Sequence, residues 1–133
     1  MHLMKKIIID TNFLMIPYQF RVDIFAEFNR ICNFNYNLYI FEQSIDELRN
    51  IIEKQPLKHK KAAQLALKLI KLKNINLLKS NQKDVDSAIL KSLDEDTIIA
   101  TQDKMLKKEL LEKGAFVIML RQKKYLKLIE KAL

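Results

Sequence analysis

Cysteine occurs once, at Cys32, so the chain can close no internal disulfide and can build no cysteine zinc cluster. Histidine occurs twice, His2 and His59, in no ligand-like spacing, which removes imidazole-rich metal sites. The one glycine is Gly114 and the two prolines are Pro17 and Pro56; no Ser/Gly-rich or low-complexity segment divides the chain. Long apolar runs are also missing. The longest are about five residues ("FVIML", 116–120), against the roughly 20 that a membrane span needs. At the amino terminus, "MHLMKKIII" meets Asp10 before a signal-peptide apolar region can form. These absences set the expectations: one domain over residues 1–133, no internal repeat, no membrane and a reducing cytoplasm.

Charge, by contrast, is plentiful and lopsided. The 24 Lys and Arg outweigh 16 Asp and Glu to leave a net charge of +8. Residues 54–83 hold nine lysines and no acid, and residues 104–133 hold nine basic and three acidic residues, a net of +6. Such a surplus suits a polyanion such as RNA, and it equally describes solvated helix faces in a lysine-rich protein. Lys58, Lys60, Lys61, Lys104 and Lys107 are the candidate nucleic-acid contacts.

Apolar patterning supplies the architecture. Runs rich in Ile, Val, Tyr or Phe at 5–9, 37–41, 75–78, 97–100 and 116–120 read as strands, several of them continuous rather than alternating. Between them lie helical spacings. Val22, Phe25, Phe28 and Ile31 form one stripe, and Ala62, Leu65, Ala66, Leu69 and Leu72 form another. "KMLKKELLEKG" ends at Gly114, where a left-handed helix cap needs glycine. The carboxyl-terminal "QKKYLKLIEKAL" reads as one more short helix. The expected fold is α/β, a three-layer α/β/α sandwich around a parallel sheet of four to five strands.

In such sheets ligands collect beyond the carboxyl ends of the strands. Four acids occupy comparable positions there. Asp10 follows the first strand, Glu47 lies in the helix after the second, Asp86 starts the helix after the third, and Asp103 follows the fourth. Each has an ordinary explanation. Ser44-x-x-Glu47 is a capping box, Asp84 and Asp103 can be N-caps, and Asp86 suits a helix first turn. Those explanations cover each acid alone but not four at one sheet edge. Clustered carboxylates repel in a partly desolvated cleft and persist best around a cation, and all-oxygen ligands select Mg²⁺ or Mn²⁺ over zinc. With lysines to hold a phosphate backbone, this describes a metal-dependent nuclease. Asp10, Glu47, Asp86 and Asp103 are then both metal ligands and catalytic residues. Thr11, Asn12 and Thr101 can orient the carboxylates or waters by hydrogen bonds, although turn bonding explains Thr11 equally well. A haloacid-dehalogenase-type phosphatase needs an aspartate where Asn12 stands. A receiver domain needs paired acids after the first strand. Neither pattern occurs.

The same segments resemble the PIN domain, a family of small metal-dependent ribonucleases, over essentially the whole chain. "IIIDTNFLM" looks like its opening strand and first acid, "SIDELRNI" like its second motif, "VDSAIL" like its third and "IIATQDKMLKKEL" like its fourth. The flanks "LMIPYQFRVDIF" and "IMLRQKKYLKL" look more like an archaeal branch near rRNA-processing PIN nucleases than like the toxins of VapBC toxin–antitoxin pairs. The resemblance implies a sheet ordered 3-2-1-4-5, one or two divalent ions in an acidic pocket, and endonucleolytic RNA cleavage. It also implies a homodimer, with some support from Phe20, Phe25 and Phe28. An antitoxin or a ribosome-assembly protein is the further partner it suggests. One departure stands out: where that branch often has two consecutive acids in the third motif, this chain has Asp86 then Ser87, with Asp84 two residues before. Two rivals stay open: a toxin ribonuclease held by an antitoxin, and a PIN-like module that binds RNA without cutting it.

Overall fold

The computed structural model describes residues 4–130. β1 (Lys5–Ile9) leads into a 3-10 turn (Thr11–Met15), then α1 (Ile16–Phe20) and α2 (Ile24–Ile31). β2 (Tyr36–Phe41) runs without a loop into α3 (Glu42–Lys54), which is followed by α4 (Leu57–Leu72). β3 (Asn76–Leu78), α5 (Val85–Ser92), β4 (Thr97–Ala100), α6 (Lys104–Glu112), β5 (Phe116–Arg121) and β6 (Tyr125–Ile129) complete the described chain.

All six strands share one sheet ordered β3-β2-β1-β4-β5-β6, parallel throughout except for β6. The expected order is present, with a sixth strand added at the edge. Successive residues of β1 point into different cores. Ile7 and Ile9 join Phe13, Phe28, Ile40 and Leu48 on one side, while Ile8 joins Ile99, Leu106 and Val117 on the other. A strand covered on both faces has no polar alternate positions, which is why "III" is unbroken. Each such isoleucine contributes roughly 1.5–3 kcal/mol of burial free energy, so β1 is fixed firmly before it delivers Asp10.

Helix ends follow local chemistry. Gly114, at φ 81°, closes α6 as expected: its N–H donates to the Leu111 carbonyl and that of Ala115 to the Leu110 carbonyl. Asn74, at φ 50°, ends α4 in the same way, with Ile75 donating to Ile70.

The carboxyl-terminal segment corrects the helix expected for "QKKYLKLIEKAL". Residues 125–129 form β6, antiparallel to β5, and residues 131–133 lie outside the described chain. Gln122 and Lys123 both take positive φ, at 52° and 57°, and Lys124 N–H donates to the Arg121 carbonyl. Positive φ at both central positions gives a hairpin turn whose twist suits the strands. Alternation then decides the rest: Leu126 is buried while Tyr125 and Lys127 are exposed.

Of the aromatics read as support for a homodimer, one is interior and two stay partly exposed. Phe28 is fully buried and stacked on Phe13 with centroids 6.0 Å apart, and Phe20 and Phe25 pack against the same core.

Sheet order decides where a ligand can sit. The chain adds strands to one side of β1 and then crosses to its other side at β4, which makes the β1–β4 edge a topological switch point. Asp10 N–H donates to the Ala100 carbonyl at 2.9 Å, so both strand ends are tied together there.

Candidate active site

Asp10 is only 5% exposed. Its Oδ1 accepts from the Thr11 N–H at 2.8 Å, and its Oδ2 accepts from the Thr101 hydroxyl at 2.7 Å. Burial raises its pKa to about 6, helped by the charges of Asp86 and Glu47 and opposed by those two hydrogen bonds. Thr101, fully buried at the end of β4, also accepts from the Asp103 N–H at 3.1 Å. One hydroxyl thus spaces two acids from different strand ends.

Thr11 does the same for a third. Its hydroxyl donates to Glu47 Oε1 and lies 2.8 Å from the Ser44 hydroxyl. Thr11 has a single proton; when it serves Glu47, Ser44 must donate to Thr11 in turn. The capping-box explanation of Ser44 fails, because α3 starts two residues earlier, at Glu42, with no side-chain cap. Ser44 is instead wholly buried beneath Glu47's partner. Glu47 is open to solvent along much of its length. Its pKa is nonetheless raised, first by desolvation of the carboxyl group and then by the charges of Asp86 and Asp84.

Asp86 sits in the first turn of α5, where desolvation and the charges of Asp103, Asp84 and Glu109 push its pKa up. Asp103 caps α6 through Oδ1, which accepts from Met105 and Leu106 N–H, leaving Oδ2 uncommitted. Capping and cavity lining are therefore compatible for this residue. Asp84 is a cap alone: its Oδ1 takes the Ser87 N–H at 2.8 Å, which lowers its pKa, and it does not line the acidic cavity.

That cavity, about 390 Å³, is walled by Asp10, Glu47, Asp86 and Asp103 with Thr11 and Asn12. Against roughly 30 Å³ per liquid water, it has room for a hydrated ion beside a phosphodiester. Residues 7–123 match the family described as PIN like domain. The chain belongs to that family. It is 35% identical over 124 residues to Ribonuclease VapC4 of Methanocaldococcus jannaschii, spanning 92% of this chain and 95% of that protein. Its fold superposes on the PIN domain endonuclease Utp24 with a TM-score of 0.78 at 18% identity, covering 96% and 95% of the two chains. A domain of a functionally unknown protein from the same M. jannaschii superposes at 0.57 and 16% identity, covering 97% and 96%.

The PIN cavity fits a hard cation by its chemistry. Its donors are carboxylates, and Asn12 Oδ1 is buried on its wall with no hydrogen-bond partner in the described structure. Among the described residues no group of three or more Asp, Glu, His or Cys side chains is set to hold one ion outright. The four acids share one cavity rather than one point, which suits one or two ions held partly through water. Mg²⁺ keeps several waters and takes one or two carboxylates directly, so an open acidic rim suits it.

The candidate lysines fall on two sides of this PIN fold. Lys58, Lys60 and Lys61 lie on the first turns of α4, Lys58 in the wall of a neighbouring cavity. Lys104 and Lys107 line another hollow with Lys108 and Arg121. Asn50 and Ile51 of α3, and Met15, also wall the acidic cavity and were not singled out from the sequence. For Asn50 a signal existed, since it follows Glu47 by one helical turn. Among the described residues no helix is long and apolar enough to cross a membrane.

Proposed function

We propose that this chain is a Mg²⁺- or Mn²⁺-dependent endoribonuclease acting in the cytoplasm, with Asp10, Glu47, Asp86 and Asp103 as its metal-binding and catalytic groups. One observation carries the reading. Four acids from four separate elements wall one cavity, and three of them have raised pKa values with no cationic partner among the described residues to relieve them. A binding-only module has no reason to bear that repulsion. A divalent ion bound there would neutralise phosphodiester charge and lower the pKa of an attacking water. The chain's own part is positional. β1 and β4 hold Asp10 rigidly through Thr101, α3 presents Glu47 against Thr11, and the starts of α5 and α6 present Asp86 and Asp103. The named relatives, a ribonuclease and an endonuclease, support the same chemistry. They accommodate both a processing nuclease and a toxin restrained by an antitoxin.

The test is cleavage of a structured RNA by purified protein, with Mg²⁺, with Mn²⁺ and with EDTA. Cutting is expected only with a divalent ion present. Cutting that persists in EDTA, or none with either ion, defeats the reading.

The backbone of the RNA should lie along the lysine surfaces. Replacing Lys58, Lys60 and Lys61 together by Gln is expected to weaken single-stranded RNA binding. The slope of log affinity against log salt should flatten by up to about two, at roughly 0.7 for each phosphate no longer neutralised. Filter binding across a salt series checks this, and an unchanged slope would return these lysines to mere solvated positions.

A further inference from the structure

Three hollows on this surface share walls in sequence. The acidic cavity shares Met15 and Ile51 with a smaller one that reaches His59, and His59 also walls a third, formed by Tyr18, Gln19, Phe20 and Lys58. Acid is confined to one end. The second and third hollows contain no carboxylate, and they border the segment 54–83, which has none either. Their far end presents Tyr18, an aromatic side chain 37% exposed, beside the exposed cation Lys58. A solitary exposed tyrosine is ordinary on any protein. A tyrosine in the wall of a groove that continues from a carboxylate site, next to a lysine, is not so easily set aside.

We infer that this groove is a track for single-stranded RNA leading away from the acidic cavity, with an unpaired base stacked on Tyr18 and a phosphate held by Lys58. The inference rests on the ribonuclease reading and adds to it the surface that carries the strand, with Tyr18 and Lys58 as its contacts. Only unpaired bases expose a face to a side chain; in an A-form duplex the faces are stacked inside, and the shallow groove offers hydroxyls and edges. An aromatic platform with a cation beside it is the usual recipe for strand binding without strict sequence demand. Gln19 and Gln55 add amides able to meet base edges. The mix of cation, amides and rings matches a nucleotide chain better than an apolar protein segment.

The experiment measures binding of an end-labelled oligoadenylate, and of its duplex with oligouridylate, by fluorescence anisotropy. It uses the full chain carrying Asp10→Asn with Mg²⁺ present, so that bound RNA stays intact. Adding Tyr18→Ala should weaken oligoadenylate binding about tenfold, within the range for one lost base stack. Duplex binding and the salt slope should be unchanged. Tyr18→Phe should restore affinity to within about twofold, since stacking needs the ring and not the hydroxyl. Lys58→Gln should instead flatten the slope by about 0.7. Equal affinity with and without Tyr18, or equal loss on both RNAs, overturns the track. So does unchanged RNA binding accompanied by loss of a bound protein, which would assign the groove to that partner. Cleavage by the chain with Asp10 intact separates the two readings. A chain that never cuts yet loses single-strand affinity at Tyr18 overturns only the nuclease; one that cuts and ignores Tyr18 overturns only the track.

Discussion

Replacing Asp10 by Asn is expected to abolish RNA cleavage, by about a thousandfold or more (about 4 kcal/mol of barrier), while stabilising the metal-free fold at neutral pH. Both effects have one cause. The carboxylate is buried against two other acids, and its pKa stands at about 6 instead of near 3.8. Holding it ionised therefore costs the fold up to about 3 kcal/mol at pH 7. The sign follows from proton uptake. The folded chain keeps this proton to higher pH than the unfolded chain does, so stability falls as pH rises from about 4 to about 6 and then levels off. Asn at position 10 removes that slope. Thr101 can turn its hydroxyl to accept from the new amide, so packing is kept. In EDTA the variant should match the parent near pH 4 and exceed it by about 1–3 kcal/mol near pH 8, as read by urea unfolding. Adding Mn²⁺ should stabilise the parent and leave the variant unmoved, because only the parent binds the ion with full charge. Asp84→Asn is the control. That residue caps Ser87 in solvent outside the cavity, so its loss should cost little stability and leave cleavage near the parent rate. A variant at position 10 that cuts RNA at the parent rate would sink the mechanism.

The contrast between Asp10 and Asp84 also shows what was legible in the chain. Asp10 was readable because three consecutive isoleucines demand a strand buried on both faces, and such a strand leaves its next residue at the sheet edge. Glu47, Asp86 and Asp103 followed from the same topological rule. Ser44 misled, because its capping-box spacing assumes a loop between β2 and α3, and the chain has none: Phe41 ends one element and Glu42 begins the next. The terminal hairpin misled for a different reason. Its turn uses Gln122 and Lys123 at positive φ where Asn-Gly would have announced it, and Leu126, Ile129 and Leu133 mimic a helical stripe. Only pairing with β5, a long-range event, decides between period two and period three to four. Thr11 bonding Glu47, Asn12 Oδ1 left without a partner among the described residues, and Tyr18 in a groove wall depend on side-chain direction. No spacing in the sequence encodes that.

Thr101 is the position where direction matters most, and Thr101→Val should show it. The substitution keeps the shape of a fully buried side chain and removes one oxygen. That oxygen both donates to Asp10 Oδ2 and accepts from the Asp103 N–H, so two polar groups lose a partner where water has little access. Leaving them unpaired should cost about 1–3 kcal/mol of stability. Cleavage should fall about 10–100-fold, the scale seen when groups that orient metal ligands are removed. A structural role alone would predict the first effect and not the next one. The Thr101 hydrogen bond is the strongest influence holding the Asp10 pKa down against burial. Without it, the Asp10 titration of metal-free protein should move above about 6, upward because the charged form has lost a donor. Carboxyl-carbon NMR on the chelated protein reads that midpoint directly. Thr101→Ser, which restores the hydroxyl and omits only a methyl, should return both the midpoint and most of the activity. A valine variant titrating at the parent midpoint and cutting at the parent rate would show that Thr101 fills space and positions nothing.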